Sequence, residues 1–191
     1  MDLKETLGIA SIVVGFAGYV PYLHGMAKGR VHPHVFSWLV WTLLTGIGFM
    51  LQMQDHAGPG AWVTGFTAFV CAIVTAWSLK VGEKTITGSD WAAFIAALVT
   101  IPLWLGAHSP LMAMVLITMI DSLAFWPTFR KSWWKPWDEA LPEYWAAVIK
   151  FGLALFALSH VTIVSALYPA ALVVLHLAFI VMAGLRRKAL S

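Results

Sequence analysis

Leu111-Met-Ala-Met-Val-Leu-Ile-Thr-Met-Ile-Asp121-Ser-Leu-Ala-Phe-Trp-Pro127-Thr-Phe129 is an apolar run that contains one carboxylate and a proline near its end. A helix needs about 20 predominantly apolar residues to cross a hydrocarbon core about 30 Å thick. The run therefore predicts a membrane-spanning helix with Asp121 in its interior. A carboxylate at that depth is costly unless it is buried and paired, so Asp121 marks a candidate functional site.

The composition of the whole chain agrees with a membrane location. Of 191 residues, 60% are hydrophobic and 11% are charged, and the mean hydropathy is +0.81. Soluble domains carry roughly 25% charged residues, so a soluble globular fold is excluded and the lipid bilayer is the expected partner. Basic residues form no cluster before the C-terminal tail, so nucleic acid is not an expected partner. The single cysteine, Cys71, excludes a disulfide framework and a cysteine-based zinc site.

Seven stretches of the chain are apolar enough, or nearly so, to span a bilayer. The fourth is the shortest and contains Pro102. Together they leave no room for a soluble domain. The predicted spans are Leu7–Met26, Val35–Met53, Ala61–Leu79, Trp91–Ala107, Leu111–Phe129, Tyr144–Ile163 and Ala166–Leu185.

The basic residues indicate the orientation of these spans. Every lysine and arginine except Lys4 and Lys150 lies in a connection after an odd-numbered span or in the C-terminal tail. Because positively charged connections stay in the cytoplasm, we expect the N-terminus outside and the C-terminus inside. The basic tail and the lack of organelle signals fit a bacterial inner (plasma) membrane.

Two prolines indicate an internal repeat. Pro21 closes the first predicted helix and Pro127 closes the fifth, and each precedes a short basic connection and an aromatic helix start. Helices one to three thus echo helices five to seven. One extra crossing gives both halves the same orientation, which is a transporter layout. The predicted fold is an all-α membrane protein with two parallel three-helix bundles joined by a linker helix (3+1+3), covering residues 1–82, 83–109 and 110–191.

The seven spans, the N-out orientation and the prolines that close helices one and five resemble the PQ-loop/SWEET transporter superfamily, including vitamin transporters of the PnuC type. The Pro-Gln dipeptide of that family is Pro21-Tyr22 in the first half and Pro127-Thr128 in the second. Trp38-Leu-Val-Trp41 is similar to the tryptophan pairs of the vitamin transporters. The resemblance covers the whole chain and implies a small-molecule transporter.

Asp121 and Lys150 are the two charges predicted inside spans. At a rise of 1.5 Å per residue they lie roughly 13 Å and 12 Å from the cytoplasmic edge, which is a matching depth on neighbouring helices. One interpretation is a buried ion pair that fixes the packing. The other is a polar group in the transport path, where Asp121 couples substrate movement to protons. Lys150 alone could instead extend to the headgroups.

Aromatic residues provide the remaining candidate contacts to a substrate. Trp38, Trp41 and Trp145 fall at corresponding places in the two halves, and their rings can stack on a sugar, a base or a cation. His176 lies in the middle of helix seven. The resemblance implies that such a residue faces the central site, although a histidine satisfied within the core fits the sequence equally well.

These features favour a facilitator that moves a small polar solute by alternating access, with Pro21 and Pro127 as hinges. The solute is a sugar, a nucleoside or vitamin, or an amino acid. No phosphate loop, metalloprotease motif or nucleophile elbow is present, so we expect neither an enzyme nor a bound metal or cofactor. The alternative is a membrane receptor or assembly factor of the same fold, similar to the KDEL receptor. Gly15-Phe-Ala-Gly18 would allow close helix contacts and a homo-oligomer.

Overall fold

The computed structural model describes most of the chain, and every regular element in the described part is helical. Residues 83–87 and 107–108, which belong to the predicted linker 83–109, lie outside the described part. The described residues are 2–30, 33–82, 88–106, 109–134, 136–137 and 141–190. In chain order the helices are α1 (Leu3–Ala27), α2 (Val35–Gln54), a 3-10 turn (Gly58–Ala61), α3 (Trp62–Val81), α4 (Gly88–Gly106), α5 (Pro110–Ala124), α6 (Trp126–Trp134), α7 (Leu141–Phe156) and α8 (Ile163–Leu190).

Four helical segments of the described chain are long and apolar enough to cross a membrane. They are α1, α2, the 3-10 turn together with α3, and α8. Shorter apolar segments lie in α4 (Phe94–Leu103) and in α5. The described part of the chain is therefore helical, and its long apolar helices are compatible with a protein embedded in a membrane.

Two predicted helices differ from the observed ones. The fifth predicted helix is divided, because α5 ends at Ala124 and α6 begins at Trp126. Pro127 has no N–H to donate to the carbonyl of Leu123, so a continuous helix would lose a hydrogen bond here. The sixth predicted helix ends early: α7 stops at Phe156, and residues 157–162 form an irregular connection to α8.

The N-terminus of α1 is stabilised by a capping box. The Asp2 side chain accepts a hydrogen bond from the backbone N–H of Glu5 at 2.7 Å, and the Glu5 carboxylate accepts one from the N–H of Asp2 at 3.0 Å. This arrangement satisfies backbone donors that have no partner inside the helix. Pro21 lies within α1, which continues to Ala27.

A proline in α8 receives support from α2. Pro169 has no N–H, so it cannot make the helical hydrogen bond to the carbonyl of Ser165, four residues earlier. The buried Gln52 side chain donates from Nε2 to that carbonyl at 2.9 Å. An unsatisfied backbone group in an apolar interior costs several kcal/mol in a membrane, so Gln52 ties the two helices together.

The helices before and after α4 pack in the same pattern. Helix α3 contacts both α1 and α2, and α8 contacts both α5 and α7. Contacts across the molecule run from α1 to α7 and from α2 to α5, while α4 lies against α2 and α5. The largest buried apolar cluster joins α2 to the later helices through side chains such as Leu44, Ile117 and Tyr168.

Candidate functional site

We call helices α1–α3 the first group and helices α5–α8 the second group. A cavity of about 470 Å³ lies between these two groups. Its walls come from α1, α2 and α3 on one side and from α5, α7 and α8 on the other. Pockets that bind small molecules typically measure roughly 300–1,000 Å³. The polar and aromatic residues in its lining include Tyr19, Tyr22, His34, Ser37, Trp38, Trp41, Thr45, Thr67, Cys71, Asp121, Phe125, Glu143, Tyr144, Lys150, Tyr168 and His176.

Lys150 supplies the positive charge of the cavity. It is 7% exposed, and its Nζ atom lies 4.8 Å from the ring centroids of both Tyr19 and Phe151. The electron-rich ring faces attract the ammonium group. Helix α1 approaches closely beside it, since a Cβ on Gly15 would lie 3.4 Å from Lys150 Cδ. The ammonium is thus held between rings of α1 and α7.

Asp121 supplies a negative charge from α5. Its Oδ2 atom accepts a hydrogen bond from the Tyr168 hydroxyl of α8 at 3.2 Å. Trp41, on α2, lines the same cavity. A donor from α8 therefore holds the carboxylate at the cavity wall.

Asp121 and Lys150 do not form an ion pair. Asp121 accepts a hydrogen bond from Tyr168, whereas Lys150 is held by the rings of Tyr19 and Phe151. Both side chains line the same cavity. Helices α5 and α7 each pack against α8.

Aromatic residues of α1 and α2 form one wall of the cavity. Trp38 donates from Nε1 to the Tyr22 hydroxyl at 3.0 Å, and these two rings lie 5.0 Å apart. Trp41 meets Trp38 edge to face with centroids 5.3 Å apart. This wall offers ring faces at fixed positions.

His176 belongs to a second aromatic wall, on α5, α7 and α8. Its ring lies 5.0 Å from Phe125 and 5.8 Å from Tyr144, and Tyr144 stacks on Phe179 at 4.1 Å. Its Nδ1 atom lies 2.6 Å from the carbonyl of Leu172. Because a carbonyl only accepts, Nδ1 carries the proton, and Nε2 of the neutral ring is an acceptor.

The cavity reaches the surface at one end of the molecule. There it is lined by His34 and Ser37 at the start of α2 and by Glu143, an exposed residue at the start of α7. We call residues 33–38 and 141–145 the open end. Among the described residues, none from 52–61 or 157–165, at the other end of the helices, lines the cavity.

The opposite end is closed by contacts between the two groups of helices. The N–H of Ser159 donates to the carbonyl of Ala57 at 2.8 Å, and Lys4 Nζ donates to the Ser159 carbonyl at 3.2 Å. The Thr162 hydroxyl donates to the Asp55 carboxylate. Apart from Lys4 in α1, these residues lie together with Gln52 and Ser165 within 52–61 and 157–165, which we call the closed end.

The structure brings together most of the residues that the sequence predicts for the site. Trp38, Trp41, His176, Asp121 and Lys150 all line the cavity. Trp145 lies outside the lining and is 48% exposed. Of the two predicted hinges, Pro21 is an exposed residue within α1 and Pro127 is the second residue of α6.

Sequence reasoning missed Tyr168, Tyr19 and Tyr22 as site residues. A tyrosine in an apolar helix is typical of the membrane interface, which hides its role in a buried site.

Comparisons with known proteins give no relative for this chain. No family model matches it, and no characterised protein or solved structure is significantly similar to it. The site therefore has to be interpreted from its own geometry. Within the described ranges, no group of three histidine, cysteine or acidic side chains is placed to hold a metal ion.

Proposed function

We propose that the chain is a membrane transporter that moves a small polar solute by alternating access. The observation that carries this proposal is the cavity between the two groups of helices, with Asp121 and Lys150 in its wall. Ionisable groups within membrane-spanning segments are costly and typically mark substrate or ion pathways. A cavity lined by both groups of helices, reaching one end and closed at the other, is the shape that alternating access requires.

The proposed architecture is a parallel repeat, with α1–α3 as one unit, α4 as a linker and α5–α8 as the second unit. The packing pattern supports it, because α3 contacts α1 and α2 as α8 contacts α5 and α7. The contacts of α1 with α7 and of α5 with α2 are related in the same way. This layout keeps the likeness to the PQ-loop/SWEET superfamily as a working hypothesis.

The charge distribution supports a proposed orientation of the two ends in the membrane. Basic residues lie in the connection after α1 and at the end of α8, for example Lys28, Arg186 and Lys188. By the positive-inside rule these segments are cytoplasmic. The open end then faces the cytoplasm, the closed end faces outward, and a bacterial inner membrane is the proposed location.

Four residues of the cavity have a proposed role. Trp38, Trp41 and His176 contact the solute, and Asp121 orients it or couples its movement to protons. The helix is interrupted at Phe125, between α5 and α6 and close to Pro127. This interruption and Pro21 in α1 provide positions where the helices can bend. Trp145 has no proposed contact with the solute because it lies outside the cavity lining.

The first test is a thermal-stability screen of the purified protein against sugars, nucleosides, vitamins and amino acids. A ligand that binds only the folded state stabilises it by about 2.7 kcal/mol at 100 times its Kd. Any hit is then assayed for uptake into proteoliposomes. We expect Asp121→Asn and Trp41→Phe to reduce that uptake at least tenfold.

The matched control for this test is Trp145→Phe, which makes the same substitution outside the cavity. It should transport like the wild type. Equal uptake by the Trp41→Phe, Asp121→Asn and wild-type proteins would contradict a transport role for the cavity. Binding of a ligand without any flux would favour the receptor alternative.

A further inference from the structure

Away from Glu143 at its open end, the cavity is lined by one ammonium group and one carboxylate, and each contacts uncharged groups. Lys150 faces the rings of Tyr19 and Phe151 at 4.8 Å. Asp121 accepts a hydrogen bond from the Tyr168 hydroxyl. Neither charge is neutralised by the other, although both face the same space.

This separation has a free-energy cost. A buried charge without an opposite charge is strongly destabilising, and a buried ion pair recovers part of that cost. A bundle selected only for stability would therefore bring Lys150 and Asp121 into contact or replace both with apolar residues. Keeping them apart leaves two complementary positions for a ligand that carries both charges.

The rings in the cavity wall also favour one kind of side chain in such a ligand. Trp38 and Trp41 present edge-to-face rings with centroids 5.3 Å apart in the same cavity lining as the Asp121 carboxylate. Indole faces attract a cationic group and stack on flat rings. The volume of about 470 Å³ is at the lower end of the usual range for small-molecule pockets, which suits a single amino acid.

We infer, building on the transport function proposed above, that the substrate is a zwitterionic amino acid with an aromatic side chain. Its carboxylate binds Lys150, its ammonium binds Asp121, and its side chain packs against Trp38 and Trp41. A neutral sugar or nucleoside would leave both protein charges without a counter-charge. An amine or a carboxylic acid alone would match only one of them.

The test uses three probes that differ in charge but share one ring. L-Tryptophan carries both charges, tryptamine lacks the carboxylate, and indole-3-propionate lacks the ammonium. Binding to the purified protein is measured by thermal shift, and competition is measured against uptake of radiolabelled L-tryptophan into proteoliposomes. L-Tyrosine and L-phenylalanine are tested in parallel, and glucose and uridine serve as neutral solutes.

We expect an aromatic amino acid to bind the wild type at least tenfold more tightly than its amine and its acid analogue. Lys150→Met should bind the amine as well as it binds the amino acid. Asp121→Asn should bind the acid as well as it binds the amino acid. The loss of the preference over the amine or over the acid identifies which protein group binds which charge of the probe.

Lys150→Arg separates charge recognition from folding. It keeps the positive charge and should keep the preference for the amino acid over the amine. The folding of every variant is checked by size-exclusion chromatography, and a Lys150→Met variant that does not fold is replaced by Lys150→Gln.

Three outcomes would overturn the inference. The first is a wild type that binds none of the three aromatic amino acids. The second is a singly charged analogue that binds the wild type as tightly as the amino acid. The third is an unchanged preference in both charge variants. Uptake of glucose or uridine with no amino-acid binding would overturn the inference and leave transport standing, whereas absence of flux for every solute would count against transport itself.

Discussion

The two ends of the cavity differ in what holds them. At the closed end, hydrogen bonds join residues from opposite groups of helices, such as Ser159 to Ala57 and Gln52 to Ser165. At the open end, Trp38 donates to Tyr22 within the first group. The closed end must therefore break these bonds between the groups in order to open, whereas the bond of Trp38 to Tyr22 moves within the first group.

The largest effect is expected for Gly60→Ala at the closed end. A Cβ at this position would lie 2.7 Å from the backbone oxygen of Ala154. Overpacking of this kind costs about 1–3 kcal/mol, and a backbone oxygen has little freedom to move away. Thermal unfolding of the detergent-purified variant should show a clear loss of stability.

Gly46→Ala is the matched control for that substitution. No atom lies within 4 Å of the corresponding Cβ, and alanine favours the helix by up to about 1 kcal/mol over glycine. Gly46→Ala should unfold at or above the wild-type temperature. If Gly60→Ala unfolds at the same temperature as Gly46→Ala, the closed end is not tightly packed.

The second effect concerns Gln52. Gln52→Met keeps the length of the side chain but leaves the buried carbonyl of Ser165 without a donor, which costs about 1–3 kcal/mol. In a Pro169→Ala background the new N–H of residue 169 can donate to that carbonyl, so the same change should cost much less. A double-mutant cycle of unfolding free energies measures the difference. An equal cost in both backgrounds would contradict the role assigned to Gln52.

A smaller effect is expected at the open end for Trp38→Phe. This change removes the N–H that donates to the Tyr22 hydroxyl at 3.0 Å, a bond worth about 1 kcal/mol. Denaturant unfolding should detect it. Trp145→Phe, at an exposed ring, should stay within about 0.5 kcal/mol of the wild type. A loss for Trp38→Phe as large as that for Gly60→Ala would remove the contrast between the ends.

The smallest effect on stability is expected for Asp55→Ala. Its carboxylate accepts from the Thr162 hydroxyl in an exposed position at the closed end, so the loss should stay below about 1 kcal/mol. The same change weakens a contact between the two groups of helices. A membrane-impermeant maleimide should therefore label Ser159→Cys faster in the double variant than in the protein that carries Ser159→Cys alone. An unchanged rate would show that this contact does not hold the end closed.

Hydropathy predicts the first three helices well and fails where the chain turns within an apolar run. The predicted span Val35–Met53 matches α2, Val35–Gln54. The predicted span Tyr144–Ile163 runs past the end of α7, because Ala157 and Leu158 are as apolar as the helix before them. The turn is stabilised by a bond from Ser159 to Ala57, and a contact with a distant segment leaves no trace in local composition.

The candidate site was predictable in its members more than in its arrangement. Asp121 and Lys150 stand out because charges are rare in apolar helices. Their depth along the helices is readable from the sequence, but the face on which each side chain lies depends on packing. Both helices pack against α8, and Tyr168 on that helix is the partner of Asp121. An ion pair and two separate charges therefore looked alike in the sequence.

The most direct test of the account measures from which side of the membrane the cavity can be reached. Cys71, the single cysteine, lines the cavity. A second reporter is Thr45→Cys in a Cys71→Ser background, at another position in the lining. Membrane-impermeant thiol reagents are applied to right-side-out and to inside-out vesicles. Labelling from the cytoplasmic side alone, slowed by a bound solute, is the predicted result. Labelling from the outer side alone, or from neither side with both reporters, would contradict it.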